Sequence, residues 1–166
     1  MKKFLISLYL SIARKFNRRL QLPTEKVRHY FNLNMDGFSR LINSFEYKAD
    51  PYGGLWDFID TPDNFFNKDK KEGRDCDDWS RMWSLWGVYN KYRAYEYVVC
   101  NPTTLKSTFS TMHCITVLYK DNKYWLMNYK PYGPYCTLDE ALDALRGWKD
   151  YATNKLVVLD REITIE

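Results

Sequence analysis

The chain has 166 residues, 45% of them hydrophobic and 28% charged, which is typical of one soluble globular domain. The net charge is only +4 and much of the basic excess lies in the first 28 residues, so a nucleic-acid-binding surface is not expected. Aromatic residues make up 17% of the chain, which predicts a core built from large rings.

Residues 1–21 form a segment of their own before the predicted domain, which spans residues 22–166. The apolar run Phe4–Ala13 follows two lysines, as in a secretory signal peptide. Spaced as a helix, the same residues give a basic amphipathic helix that could dock on a partner or a membrane surface. The run is too short to cross a bilayer. We favour the retained helix, and a cytoplasmic or virion-associated location over export.

Helical signals follow in the first half of the chain. Leu22–Phe31 predicts a short helix, and Phe38–Tyr47 carries an apolar stripe at helical spacing. Residues 56–71 predict an irregular loop, broken by Thr61-Pro62-Asp63-Asn64. After Asp75, large side chains recur at steps of three and four, which predicts a helix from Cys76 to about Asn90.

Alternation of polar and apolar residues then predicts a sheet. The expected strands are Tyr95–Cys100, His113–Lys120 and Tyr124–Tyr129, the last two joined by a hairpin turn at residues 121–123. A capping box at Thr137–Glu140 opens a helix over residues 141–148, and Lys155–Asp160 is a last strand. Helices followed by an antiparallel sheet indicate an α+β fold.

Four cysteines are present, but their spacing forms no CxxC pair and no regular framework. With only two histidines in the chain, a zinc site is not expected. A domain of this size also needs no disulfides. The prediction is therefore four reduced thiols, most of them packed in the core: Cys76, Cys100, Cys114 and Cys136.

Cys76 stands out because it begins a helix. The helix dipole and the unpaired amides of the first turn favour a thiolate, and the Cys76 amide can face a developing oxyanion. His113 opens a later strand, and the hairpin brings Asn128 roughly opposite it. An Asn beside a His can fix the imidazole tautomer, as in a Cys-His-Asn triad. The three residues together predict a catalytic site.

These segments resemble the transglutaminase-like cysteine peptidases, and most closely the bacterial transglutaminase-like cysteine proteinase group. The matching text is LWDFIDTPDNFF (55–66), GRDCDDWS (73–80) and MHCITVLYKDNKYWLMNYK (112–130), within roughly Leu41 to Cys136. The family usually has Asp where this chain has Asn128. The resemblance implies a papain- or transglutaminase-like fold, in which the Cys76 helix packs against an antiparallel sheet.

The activity that the resemblance implies is acyl transfer, as a peptidase or amidase acting on a protein or peptide. Cys76 would be the nucleophile, His113 the base and Asn128 the orienting residue. The Cys76 amide would hold the oxyanion, with a second donor from Trp56, Asn64 or Asn67. The alternative is a non-catalytic structural or binding module with the same fold, such as a component of a phage particle.

Three aspartates surround the cysteine, and their negative charge opposes a thiolate. Asp75, Asp77 and Asp78 are good residues for the first turn of a helix, which is one interpretation. In the other they bind calcium, an ion that takes oxygen ligands and is bound at these positions in the resembled group. No cofactor is required by the chemistry itself.

Overall fold

An antiparallel sheet with helices on both faces makes up the part of the chain that the computed structural model describes, residues 22–48, 60–69, 74–100, 112–146 and 156–164. Within these ranges the first elements are helices: α1 (Glu25–Arg28), a 3-10 turn (His29–Asn32), α2 (Met35–Ile42), α3 (Pro62–Asn67) and α4 (Cys76–Tyr89). The remaining elements are β1 (Arg93–Cys100), β2 (His113–Lys120), β3 (Lys123–Met127), β4 (Pro131–Tyr135), α5 (Leu138–Arg146) and β5 (Leu156–Ile163). The predicted α+β class is confirmed.

The sheet has the strand order β4-β3-β2-β1-β5, and all its neighbouring strands are antiparallel. The β2–β3 hairpin closes at the Lys120–Lys123 pair. Its two turn residues, Asp121 and Asn122, have φ angles of 50° and 58°. Positive φ at both positions is the requirement of the tight turn that matches the twist of a hairpin, and Asp and Asn tolerate it.

Helix α4 is the central helix of one face. Trp83 and Trp86 are buried in its core, as predicted for this aromatic stripe. The hydroxyls of Ser80 and Ser84 each lie 2.9 Å from that of Thr116 on β2, which also donates to the Ser80 carbonyl at 2.7 Å. These bonds satisfy buried hydroxyl groups and fix α4 against β2.

The other face of the sheet packs against α5. Ala141 and Leu145 of this helix are buried against apolar side chains of the strands: Tyr97, Val99, Ile115, Val117 and Leu126. Successive residues of β2 therefore face opposite sides of the sheet. Ile115 and Val117 pack on the α5 side, and Leu118 packs on the α4 side.

Several predicted boundaries are wrong. Thr61-Pro62-Asp63-Asn64 does not break a loop but begins α3, because the Thr61 hydroxyl accepts the Asn64 N–H and Pro62 occupies the first turn. The helix predicted at Phe38–Tyr47 begins earlier, since Asn34 caps it by accepting the Gly37 N–H, and ends at Ile42. Strand β4 was not predicted, and β5 continues three residues beyond Asp160.

Arg74 anchors the chain just before the cysteine. Its buried guanidinium donates to the carbonyls of Phe65, Lys68 and Asp69, and so binds the carboxyl end of α3. Its backbone forms a parallel bridge with Tyr47. These contacts hold the start of α4 on both sides.

The segment 1–21, with its predicted amphipathic helix, lies outside the described residues. Among the helices that are described, none combines the length and the apolar character needed to cross a membrane.

Candidate active site

Cys76 is the first residue of α4, as predicted. Asp75 is the N-cap and accepts the Asp77 N–H. The Asp78 carboxylate accepts the Asp75 N–H at 3.3 Å, which completes a capping box. This cap fixes the direction of the helix and hence the position of the Cys76 side chain; the residue as a whole is partly exposed. The amide of Cys76 is among the first-turn N–H groups that α-helical bonding leaves available.

His113 and Asn128 lie together beside the cysteine. His113 Nε2 is 2.9 Å from Asn128 Oδ1, to which it donates, and a side-chain hydrogen bond joins His113 to Cys76. With Nε2 engaged by Asn128, Nδ1 is the ring nitrogen left to face the sulfur. Asn128 follows β3 directly, and by the β2–β3 register it would lie across from Ile115, two residues from His113. The two side chains meet as diagonal neighbours.

Asn128 is itself held by the core. The indole N–H of Trp83, in the middle of α4, donates to the Asn128 carbonyl at 2.8 Å. Asn43 donates through its side-chain amide to the carbonyl of the next residue, Tyr129. The end of β3 is thus fixed by α4 and by the C-cap of α2, and this support was not predicted from the sequence.

The charges of the site favour an ion pair. A side-chain hydrogen bond from Cys114 has the largest effect on the pKa of Cys76 and lowers it. Burial raises this pKa, whereas the hydrogen bond and the charge of His113 lower it further. The net result is a Cys76 pKa of about 5. Burial by itself lowers the pKa of His113. The bond to the Cys76 thiolate, its charge and the Asn128 bond outweigh burial and raise the pKa of His113 above its ordinary value. Both shifts favour a thiolate beside an imidazolium.

Cys114 was predicted only as a packed thiol, but it contacts Cys76. Its backbone N–H donates to Cys76 Sγ at 3.4 Å, in addition to the side-chain bond. The signal in the sequence was the position of Cys114 directly after His113, at the start of a strand that faces α4.

The three aspartates converge, with one carboxylate oxygen from each lying within 4.8 Å of the others. Four of their six oxygens accept backbone N–H groups: Asp78 Oδ1 from Asp60, Asp78 Oδ2 from Asp75, Asp75 Oδ1 from Asp77, and Asp77 Oδ1 from Asp78. Burial, with the charges of Asp75 and Asp60, raises the pKa of Asp78 to about 8. Calcium takes six to eight oxygens, so the set fits helix capping better than a calcium site.

The suggested second oxyanion donors have different outcomes. Trp56 lies outside the described residues. Asn64 and Asn67 are exposed on α3, and among the described residues no side-chain hydrogen bond joins either of them to Cys76 or His113. The Cys76 amide is the candidate donor that the fold places at the sulfur itself.

Three aromatic rings border the site, and the sequence did not single them out for this position. Tyr129 lies with its ring centre 6.4 Å from that of His113 and packs edge-on against Trp79 at 4.6 Å. Tyr47 contacts both, at 6.0 Å and 5.9 Å. Burial and the neighbouring Cys76 charge raise the pKa of Tyr47 and Tyr129, so both phenols stay protonated beside the thiolate.

No family model, no curated protein and no solved structure matches the chain.

Proposed function

We propose that the chain is a cysteine-dependent acyl-transfer enzyme, a peptidase or amidase that cleaves a protein or peptide amide. The observation that carries the proposal is the linked set Cys76–His113–Asn128, in which one imidazole contacts both the thiolate and an amide oxygen. A cysteine that only fills space needs neither a basic partner nor an orienting residue behind that partner.

The first half of the reaction is the attack of Cys76 Sγ on the amide carbonyl carbon. The new C–S bond places negative charge on the carbonyl oxygen, next to the Cys76 N–H at the positive end of α4. The His113 imidazolium gives its proton to the amide nitrogen as the C–N bond breaks, and the amine leaves. His113 is then neutral, and Asn128 keeps its ring in place.

The second half releases the acyl group. Neutral His113 takes a proton from water, the hydroxide attacks the thioester carbon, and the C–S bond breaks to return the thiolate and the imidazolium. A primary amine that replaces water would give transamidation by the same steps. The geometry supports either acceptor, because both need only a base within reach of the thioester.

The likeness to the transglutaminase-like cysteine peptidases belongs to this proposal. A nucleophile at the start of a helix, a histidine at the start of a strand and its partner after the next strand occur in the order of that group. Asn128 in place of the usual Asp removes a charge near the imidazolium. The hydrogen bonds to Cys76 stabilise the ion pair from the thiolate side instead.

The test is a peptide-library digest. The protein is incubated with a mixture of peptides and a tagged primary amine, and new termini and amine adducts are identified by mass spectrometry. We expect new termini with the natural chain and a loss of about 10²- to 10⁴-fold with His113→Ala. Cys76→Ser should abolish them. Cleavage that persists in Cys76→Ser, or no cleavage of any library peptide, would favour the non-catalytic module.

A further inference from the structure

A second cysteine lies against the nucleophile. The Cys114 backbone N–H donates to Cys76 Sγ at 3.4 Å, and the two side chains are hydrogen-bonded to each other. Both residues are partly exposed, and neither is joined in a disulfide. The other two cysteines differ in their surroundings, since Cys100 is buried and Cys136 is exposed and accepts a hydrogen bond from Lys123.

The fold itself turns the two side chains toward each other. Cys114 is two residues before Thr116 and therefore on the face of β2 that meets α4. Cys76 is one helical turn before Ser80, whose hydroxyl contacts Thr116. The Cys76–Cys114 contact is thus the next step of the same row of helix–sheet contacts, with the Cys114 backbone N–H 3.4 Å from Cys76 Sγ.

The chemistry of the two residues suits oxidation. The thiolate is the form of cysteine that reacts with peroxides, and the environment of Cys76 favours it. A neighbouring thiol converts the resulting sulfenic acid into a disulfide before a second oxidant arrives. Cys114 is in the position of such a resolving cysteine.

We propose that Cys76 and Cys114 form a dithiol pair that a hydroperoxide closes into a disulfide and a thiol reductant reopens. The Cys76 thiolate attacks the peroxide, the O–O bond breaks, and Cys76 becomes a sulfenic acid while an alkoxide or hydroxide leaves. The Cys114 sulfur then attacks the Cys76 sulfur, an S–S bond forms, and the S–OH bond breaks. The hydroxide takes the Cys114 proton and leaves as water. Two molecules of a thiol reductant return both cysteines and become a disulfide themselves.

The pair would switch the site off reversibly, because the disulfide consumes the nucleophile and protects it from sulfinic acid. The switch concerns the nucleophile of the proposed function, but its detection requires no substrate. A failure of the peptidase proposal would leave the cross-link observable, and a missing cross-link would leave Cys76-dependent cleavage intact. The two proposals are therefore separable.

The test is disulfide mapping of the full chain. The protein is treated with about one equivalent of hydrogen peroxide, alkylated and digested without reduction. We expect a Cys76–Cys114 cross-linked peptide, a fall from four reduced thiols to two, and restoration of both by dithiothreitol. The Cys136→Ser variant, which removes the exposed thiol, should give the same cross-link.

The matched variant is Cys114→Ser, which keeps the size and a hydrogen-bonding group. Its Cys76 should proceed to sulfinic or sulfonic acid, which dithiothreitol cannot reverse. The proposal is overturned if natural Cys76 reaches sulfinic acid while Cys114 stays reduced, or if Cys76 cross-links only to Cys100 or Cys136. The mapping of the natural chain decides the matter even where Cys114→Ser fails to fold.

Discussion

The thiol of Cys76 lies between groups that change its pKa in opposite directions. Burial and the Asp75 carboxylate raise the pKa, whereas the bonds from Cys114 and His113 lower it. The bonds outweigh the opposing groups because they act at contact distance, while Asp75 is the smallest of these influences. The charge conflict that the aspartates suggested in the sequence is thus offset by donors to the sulfur.

Trp83 provides a test of how Asn128 is positioned. Trp83→Phe keeps a ring in the core but removes the N–H that donates to the Asn128 carbonyl. We expect a loss of stability of about 1–3 kcal/mol, because a partly buried carbonyl loses its donor. The freed end of β3 should also hold His113 less well and slow the alkylation of Cys76 at neutral pH. Thermal melts and alkylation rates measure the two effects.

The matched control is Trp86→Phe. This indole N–H donates at the same distance, 2.8 Å, to the Leu33 carbonyl, away from the site. Its loss should cost similar stability and leave Cys76 alkylation unchanged. Equal slowing by both variants would mean that Trp83 acts on the site only through general stability.

We expect Asn128 to influence the alkaline limb of the pH–activity profile. Its bond to Nε2 helps to raise the pKa of His113, so Asn128→Ala should move the alkaline limb of the activity profile to lower pH. Asn128→Asp adds a negative charge beside the imidazolium and should move the same limb to higher pH. The pH dependence of peptide cleavage checks both shifts. Two profiles that coincide with that of the natural chain would remove Asn128 from the triad.

At the scale of elements, the close packing of α4 on β2 depends on a glycine. A Cβ at Gly87 would overlap Leu118 Cδ2, and Leu118 is fully buried. Gly87→Ala should therefore destabilise the protein by about 1–3 kcal/mol in spite of the better helix propensity of alanine. The double variant Gly87→Ala with Leu118→Ala makes room for the methyl group. Its stability loss should be smaller than the sum of the single losses; additive losses in urea denaturation would contradict the close contact.

The elements that the sequence predicted well are those with a repeated local pattern. Helix α4 and the β2–β3 hairpin each follow one period and have clear ends, an Asp cap for the helix and Asp121-Asn122 for the turn. The missed elements lack such a period. Strand β4, with the sequence PYGPY, contains two prolines and a glycine and is a strand because it pairs with β3 at the sheet edge. Helix α3 has only six residues, and its cap was interpreted as a loop signal.

The residues of the candidate site likewise fall into those that the sequence could predict and those that it could not. Cys76, His113 and Asn128 could be predicted because each stands at the end of an element with a clear pattern, and the hairpin relates the last two. Cys114, Tyr47 and the indole of Trp83 act through contacts between distant segments. Composition and spacing contain no information on such contacts.

At the scale of the whole molecule, the aspartates decide how stability depends on pH and on metals. The folded protein keeps a proton on Asp78 up to about pH 8, whereas the unfolded chain releases it near pH 3.8. The native state therefore binds more protons across this window, and the contribution of Asp78 to the free energy of unfolding falls as pH rises. Asp78→Asn has no such proton. Its stability deficit relative to the natural chain should be largest below about pH 4 and should shrink steadily toward pH 8.

Bound calcium would reverse this pH dependence of the stability loss. The ion favours the ionised carboxylate, so Asp78→Asn would then be more destabilising at pH 8 than at acid pH. We expect melting curves recorded with calcium and with a chelator to superimpose. A higher melting temperature in calcium, lost in Asp77→Asn and Asp78→Asn, would restore the metal interpretation.

The central claim is that Cys76 is a thiolate stabilised within the site, and its titration tests this most directly. The rate of Cys76 alkylation by iodoacetamide is followed against pH by site-resolved mass spectrometry, which separates it from exposed Cys136. The predicted rate rises with a midpoint near pH 5, and His113→Ala moves the midpoint toward the ordinary thiol value of about 8.5. A natural chain whose Cys76 titrates at that ordinary value, unchanged by His113→Ala, would contradict the account.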